Sequence, residues 1–186
     1  MKKHIDKSAV TKNNFVDAFI KLNKEKSIEK ITVKELTEMS GYNRTTFYNY
    51  FTDIYNLYEY IEMFLFENIR EQIEENMRNN SGKENFIRNF TLIYTQWSDY
   101  LAIVLKNPHS YHFSVQVKNI LLSYWIKQFE IDENDIKTSY ILDFYLSALI
   151  SIISRWIKKP DDMSIEELAC LLHEIIEYSI LKKIIN

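Results

Sequence analysis

The stretch ITVKELTEMSGYNRTTFYNYF, residues 31–51, decides how this chain is read. Thr32 stands three residues before Glu35, the capping-box spacing in which each side chain satisfies a backbone donor at a helix start, so a helix begins near Val33. It stops near Ser40, because Gly41 can take the left-handed conformation that closes a helix. Asn43 is placed to cap a third, short helix over residues 44–50. Phe47 faces inward there and Phe51 lies one turn further on, while the i,i+4 pairs Arg44 with Tyr48 and Thr45 with Asn49 face away.

Two helices joined by a tight turn, the second short and outwardly polar, form a helix-turn-helix able to lay its second helix in the DNA major groove. The residue types suit that use. Arg44 can bond bidentately to guanine or to a phosphate, Asn49 to adenine, and Thr45 and Thr46 to a thymine methyl or a phosphate oxygen. Tyr48 and Tyr50 can reach phosphates through their hydroxyls.

Upstream, Phe15, Ala18, Phe19 and Leu22 recur at helical spacing and predict a first helix over 12–24, followed by the polar turn Glu25, Lys26, Ser27. Downstream, Thr52 and Asp53 offer a cap to a long fourth helix over 54–80, with Leu57, Ile61, Leu65, Ile69 and Ile73 spaced by four. Its continuity predicts a rigid connection rather than a linker. Further helices are expected over 84–106 and 111–129, divided at Asn107-Pro108 where proline cannot donate a backbone bond. An acidic loop at 132–135, a very apolar helix over 137–158 and a turn at 159–162 come next. Ser164 and Glu167 form a second capping box that starts the last helix. The prediction is an all-α fold of about nine helices.

Composition agrees. Residues of hydrophobic type make up 46% of the 186, and two Gly with two Pro leave little turn chemistry for a many-stranded fold. One cysteine, Cys170, excludes an internal disulfide framework and reads as a core residue; with no continuous apolar signal segment after Lys2 and Lys3, a cytoplasmic location is expected. Residues 1–50 carry ten Lys/Arg against six Asp/Glu, and the remainder thirteen against twenty, so a basic head precedes an acidic body.

The head resembles that of the TetR family of transcriptional regulators, whose pattern appears here as Thr32, Leu36, Ser40, Gly41, Tyr42, Asn43, Phe47, Tyr48, Tyr50 and Phe51. The resemblance covers residues from about 10 to 65. It implies a DNA-binding domain over 1–52, an effector-binding and dimerisation domain over 53–186, and DNA contacts from Lys34, Arg44, Thr45, Thr46, Tyr48, Asn49 and Tyr50. Lys12 and Lys21 are read as ordinary surface. It further implies a near-palindromic double-stranded operator, a homodimer formed through 137–158 and 164–184, a small-molecule effector of unknown identity, and repression relieved by that effector. Many members carry a lysine at the head of the fourth helix, where this chain has Ile54 and Tyr55; one phosphate anchor is absent.

In the body, residues 140–157 are apolar on almost every side, broken by Asp143, Ser147, Ser151 and Arg155 at a spacing of four. Such a helix must be buried in a core or against a partner, and self-association is the economical answer. A membrane span is disfavoured, because Asp143 and Arg155 fall inside the 18-residue apolar window. Aromatic residues are dense between Phe90 and Trp125, and Phe90, Tyr94, Trp97, Tyr100, Phe113 and Trp125 are candidates for an effector pocket, with Tyr111 and Tyr124 nearby. His109 and His112 lack a third ligand, so neither metal nor cofactor is expected. No catalytic constellation stands out, and no enzyme is read. The alternative function is a helical interaction protein or co-activator that keeps the head fold and acts through protein partners.

Overall fold

Eight α-helices and two single turns of 3-10 helix account for the regular structure of this computed structural model, which describes residues 7–79, 82–107, 111–128 and 135–177. No strand occurs among the described residues. In chain order the helices are α1 (Lys7–Glu25), α2 (Val33–Ser40), α3 (Arg44–Tyr48), α4 (Ile54–Asn79), α5 (Lys83–Lys106), α6 (Tyr111–Gln128), α7 (Ile136–Lys158) and α8 (Ile165–Ile175). The all-α expectation holds. The chain divides into two compact units, Met1–Phe64 and Leu65–Asn186, with α4 running through the division.

Two boundaries differ from the sequence reading. Helix α1 starts at Lys7 rather than residue 12, because the buried Thr11 returns its hydroxyl to the Lys7 carbonyl (2.9 Å) and continues the inward face upstream of Phe15. Helix α3 ends at Tyr48 rather than at residue 50: the Tyr50 amide bonds to the Phe47 carbonyl (2.9 Å), an i to i−3 bond that tightens the chain out of the α-helix. The polar turn after α1 leads into a 3-10 turn, Ile28–Lys30, anchored by buried Ile28 and Ile31.

The first unit has an aromatic core. The Phe15 ring meets Tyr42 at 5.2 Å, Phe47 edge-on at 5.4 Å and Phe51 at 6.3 Å, and Phe19, Leu36, Leu57 and Ile61 complete the buried set. Each such side chain removed from water stabilises the unit by about 1.5–3 kcal/mol.

In the second unit α5 packs on α7 and α8, and α6 on α7. Val104, Leu142, Leu146, Leu168 and Leu172 are buried there. Tyr94 of α5 stands edge-on to Trp156 of α7 at 4.7 Å, and the Trp156 indole Nε1 donates to the Met163 carbonyl (2.8 Å), tying the turn before α8 to the core. Ser164 and Glu167 form the expected capping box at the start of α8.

Helix α7 buries only one side. Leu142, Leu146, Leu149, Trp156 and Ile157 point inward, whereas Ile136, Tyr140 (75% exposed) and Phe144 (67% exposed) share the outer face with Asp143, Ser147, Ser151 and Arg155. By length and composition alone this helix could cross a membrane.

Candidate nucleic-acid interface

The presentation of α3 begins with local capping. The Thr32 hydroxyl accepts from the Glu35 amide (3.3 Å) while the Glu35 carboxylate accepts from the Thr32 amide (3.1 Å) and hydroxyl (2.7 Å), closing the capping box of α2. Lys26, nine residues away, adds an ion pair to the same carboxylate at 2.6 Å. These bonds, the Lys26 ammonium first and Thr32 next, hold the Glu35 carboxyl down at about 2, well below its usual 4.5. Sequence spacing places Lys26 only in a polar turn; its role depends on a fold that brings residue 26 beside 35.

Gly41 then takes φ 75°, ψ 17°, the left-handed conformation that costs an L side chain about 1–2 kcal/mol. The amide of Tyr42 reaches back to the Thr37 carbonyl at 3.2 Å, and the turn is complete. Tyr42 also anchors this turn to α1, because Asn14 Nδ2 donates to its hydroxyl oxygen (3.1 Å) and its ring lies on Phe15. Hydrogen bonding with the Thr11 and Asn14 side chains lowers the Tyr42 phenol pKa.

Asn43 caps α3 as expected, its Oδ1 accepting from the Thr46 amide at 2.8 Å. The same oxygen takes the Thr46 hydroxyl at 3.1 Å, so the hydroxyl proton of this half-buried residue is committed to the cap. Phe47 is wholly buried among Phe15, Phe51 and the edge-on ring of Tyr48. Because Phe47 pins one side of so short a helix, the opposite side is fixed in orientation.

Arg44, Thr45, Tyr48 and Asn49 occupy that outer side, all exposed, with Tyr48 at 57% and its ring supported by Phe47 from beneath. Arg44 sits at the first position of α3 with no acidic residue in that turn. A cation there gains nothing from the helix dipole, so local stability does not account for it. Lys34 extends from the first turn of α2 with a loose ion pair to Glu38 at 3.9 Å, both side chains exposed. Tyr50 lies half-buried past the end of α3. Of the seven expected contacts, five are thus exposed, and Thr46 and Tyr50 are partly withdrawn.

At the head of α4, Ile54 is 6% exposed, a core residue. The Asp53 carboxylate accepts from the Asn56 amide at 2.8 Å and caps the helix. This end of α4 therefore presents the Asp53 carboxylate beside Ile54 and Tyr55, the stretch in which the sequence lacks a phosphate-binding lysine. Lys12, read as ordinary surface, lies over the Tyr60 ring at 5.1 Å, and Lys21 is exposed.

Of the candidate pocket residues, Trp97 pairs edge-on with Tyr100 (5.5 Å), Phe90 stacks on Phe86 (6.1 Å), and Phe113 and Trp125 are buried. Tyr94 is engaged by Trp156, a neighbour that sequence spacing could not supply. Cys170 is half-buried and His112 exposed; His109 and the side chains of Tyr111 and Tyr124 lie outside the described residues. No group of three or more potential metal ligands occurs among the described residues.

A family model of TetR type, described as a transcriptional regulator C-terminal region, matches residues 93–178. Solved structures share the fold over nearly the whole chain. The FadR fatty acid degradation regulator from Bacillus halodurans is similar with a TM-score of 0.66 at 15% identity, covering 97% of this chain and 98% of its own. The TetR family repressor AlkX from a Dietzia strain is similar with a TM-score of 0.58 at 16% identity, covering 92% and 98%. The body thus matches a TetR-type regulator region, and the whole chain shares the fold of TetR-family structures. The chain is also similar to the dihydroxyacetone kinase operon activator DhaS, with a TM-score of 0.62 at 22% identity over 92% of this chain and 97% of that one. No curated protein sequence matches it.

Proposed function

We propose that the chain is a homodimeric repressor that binds a near-palindromic double-stranded operator through Lys34, Arg44, Thr45, Thr46, Tyr48, Asn49 and Tyr50. One observation carries this reading: a five-residue helix, fixed by Asn43 at its start and Phe47 beneath, turns Arg44, Thr45 and Tyr48 to solvent, with Asn49 following at its C-cap. Arg44 and Asn49 supply base-edge donors and acceptors, and Tyr48 and Lys34 supply phosphate contacts. Thr46 acts through its methyl group and backbone, since its hydroxyl proton serves the cap. Two such heads would occupy successive major grooves about 34–36 Å apart.

In this reading residues 1–52 are the DNA-binding domain and 53–186 the effector-binding and dimerisation domain, working in the cytoplasm. Residues 137–158 and 164–184 form the dimer, which covers the outer face of α7 that a monomer leaves exposed. A small-molecule effector binds among Phe90, Tyr94, Trp97, Tyr100, Phe113 and Trp125. It releases the operator only to the extent that it binds the DNA-free state more tightly. The covalent route is α4, the one helix that belongs to both units.

Binding of duplexes from the promoter of its own gene, at about 50 and 200 mM salt, tests the reading. Four neutralised phosphates would cost about a hundredfold over that change. No binding to any duplex at the lower salt refutes it. A second reading, an interaction protein or co-activator with a retained head fold, is favoured by the Asp53 carboxylate and buried Ile54 at the head of α4. It predicts that promoter activity depends on the protein while Arg44→Ala leaves that activity intact.

A further inference from the structure

Between α2 and α3 the turn consists of Gly41, Tyr42 and Asn43. Gly41 closes α2 and the Asn43 side chain caps α3, so Tyr42 is the side chain of the turn that is not committed to a helix end. It is half-buried, and α1 holds it at both the ring and the hydroxyl. The ring lies on Phe15 with centroids 5.2 Å apart, and the hydroxyl oxygen accepts from Asn14 Nδ2 at 3.1 Å. Thr11, buried and donating its own hydroxyl to the Lys7 carbonyl at 2.9 Å, is a second hydrogen-bonding side chain at this phenol. Residues 11, 14 and 15 share one face of α1, which thus offers a single side chain one ring and two polar partners. The bond from Asn14 spans 28 positions of sequence, and neither the capping box of α2 nor the Asn43 cap needs it.

Helix α3 has only five residues, about 7.5 Å of axis at 1.5 Å per residue, and Phe47 is its buried residue. Apolar packing is non-directional, so a helix that short can turn slightly about its buried ring while keeping the apolar contact. Hydrogen bonds resist such a turn, because they weaken steeply off their axis. Tyr42 stands two residues before Arg44, and Phe15 touches both Tyr42 and Phe47. The phenol clasp therefore adds a directional anchor on the same aromatic floor that carries Phe47. Small rotations of α3 matter unequally for DNA. Base edges are read by paired bonds of fixed geometry, whereas attraction to phosphates follows charge and tolerates a small turn.

We propose that Tyr42 is a positioning residue for sequence recognition: its hydroxyl, clasped by Asn14 and Thr11 of α1, fixes the angle at which α3 presents Arg44 and Asn49 to base edges. This rests on the operator-binding reading above and assigns its selectivity in part to a residue that touches no base. The test uses the full chain and two duplexes, the best-bound segment of its own gene's promoter and a scrambled duplex of the same length and composition. Fluorescence anisotropy gives both affinities, and their ratio measures discrimination. Tyr42→Phe keeps the ring on Phe15 and removes only the hydroxyl. It should lower the ratio by about threefold or more, the fold-change of one net hydrogen bond. Affinity for the scrambled duplex should stay within about twofold, since that binding is electrostatic. Asn14→Ala should lower the ratio in the same direction, and the double variant should match Tyr42→Phe, because both act through one clasp.

A head that is merely less stable loses the same folded fraction towards both duplexes, so an equal loss on the two overturns the proposal. An unchanged ratio for Tyr42→Phe overturns it as well, and so do additive losses in the double variant. If Tyr42→Phe unfolds the head, Asn14→Ala leaves the ring in place and decides by the same ratio. A wild-type chain that does not separate the two duplexes refutes the operator reading itself; wild-type discrimination that the variants retain refutes the clasp alone.

Discussion

Replacing Phe47 by Ala should uncouple the head from its function through stability alone. The ring is wholly buried and packs against Phe15 at 5.4 Å, Tyr48 at 5.5 Å and Phe51 at 5.7 Å. Truncating a buried Phe to Ala costs about 3–5 kcal/mol, and three lost aromatic pairs place this site toward the upper end. At an m-value of about 2 kcal/mol/M in urea, the midpoint should fall by about 2 M. Phe47→Leu, which keeps most of the volume, should lose about 1–2 kcal/mol. Circular dichroism is the proper probe, because all three tryptophans, Trp97, Trp125 and Trp156, lie in the second unit and are silent on the head. Urea melts of the two variants beside wild type make the comparison. A Phe47→Ala midpoint within about 0.5 M of wild type would refute the claim that this ring holds α3 in place.

Three further outcomes are expected. Arg44→Ala should weaken operator binding by about 1–3 kcal/mol with relaxed preference at one base position; a uniform loss across sequences makes Arg44 a phosphate contact, and no loss removes it from the interface. Gly41→Ala should destabilise the head by about 1–2 kcal/mol in the same melts, since φ is 75° although no atom lies within 4 Å of an added Cβ; an unchanged midpoint would show that the turn relaxes. Glu35, with its carboxyl at about 2 when folded and near 4.5 when free, is ionised and paired in the native state. Its contribution is complete above the free value and fades as pH falls from 4.5 towards 2, so Glu35→Gln should be the less stable protein at pH 6 and should converge on wild type near pH 2. A constant difference across that range, measured by urea melts at each pH, would assign the effect to packing.

What was legible in the sequence was what rests on neighbours three or four residues apart. Both capping boxes, the left-handed Gly41, the Asn43 cap and the inward Phe47 each follow from interactions within a turn, which one-dimensional spacing records directly. Hence the display of Arg44, Thr45, Tyr48 and Asn49 could be read before the fold. Helix ends resisted that reading, because Thr11 and Tyr50 settle them by single hydrogen bonds that carry no apolar periodicity.

The sequence by itself determined the helical class, the helix-turn-helix and the residues that it turns outward. Only the tertiary structure decided that Lys26 guards Glu35, that Ile54 belongs to the core, and that Tyr94 answers to Trp156. It also decided which side of α7 is open. A thin polar line on a helix otherwise apolar nearly all round does not say whether that line meets a partner or solvent; the packing of α5 and α6 on α7 buries Leu142, Leu146 and Leu149 and leaves the row from Asp143 to Arg155 outside.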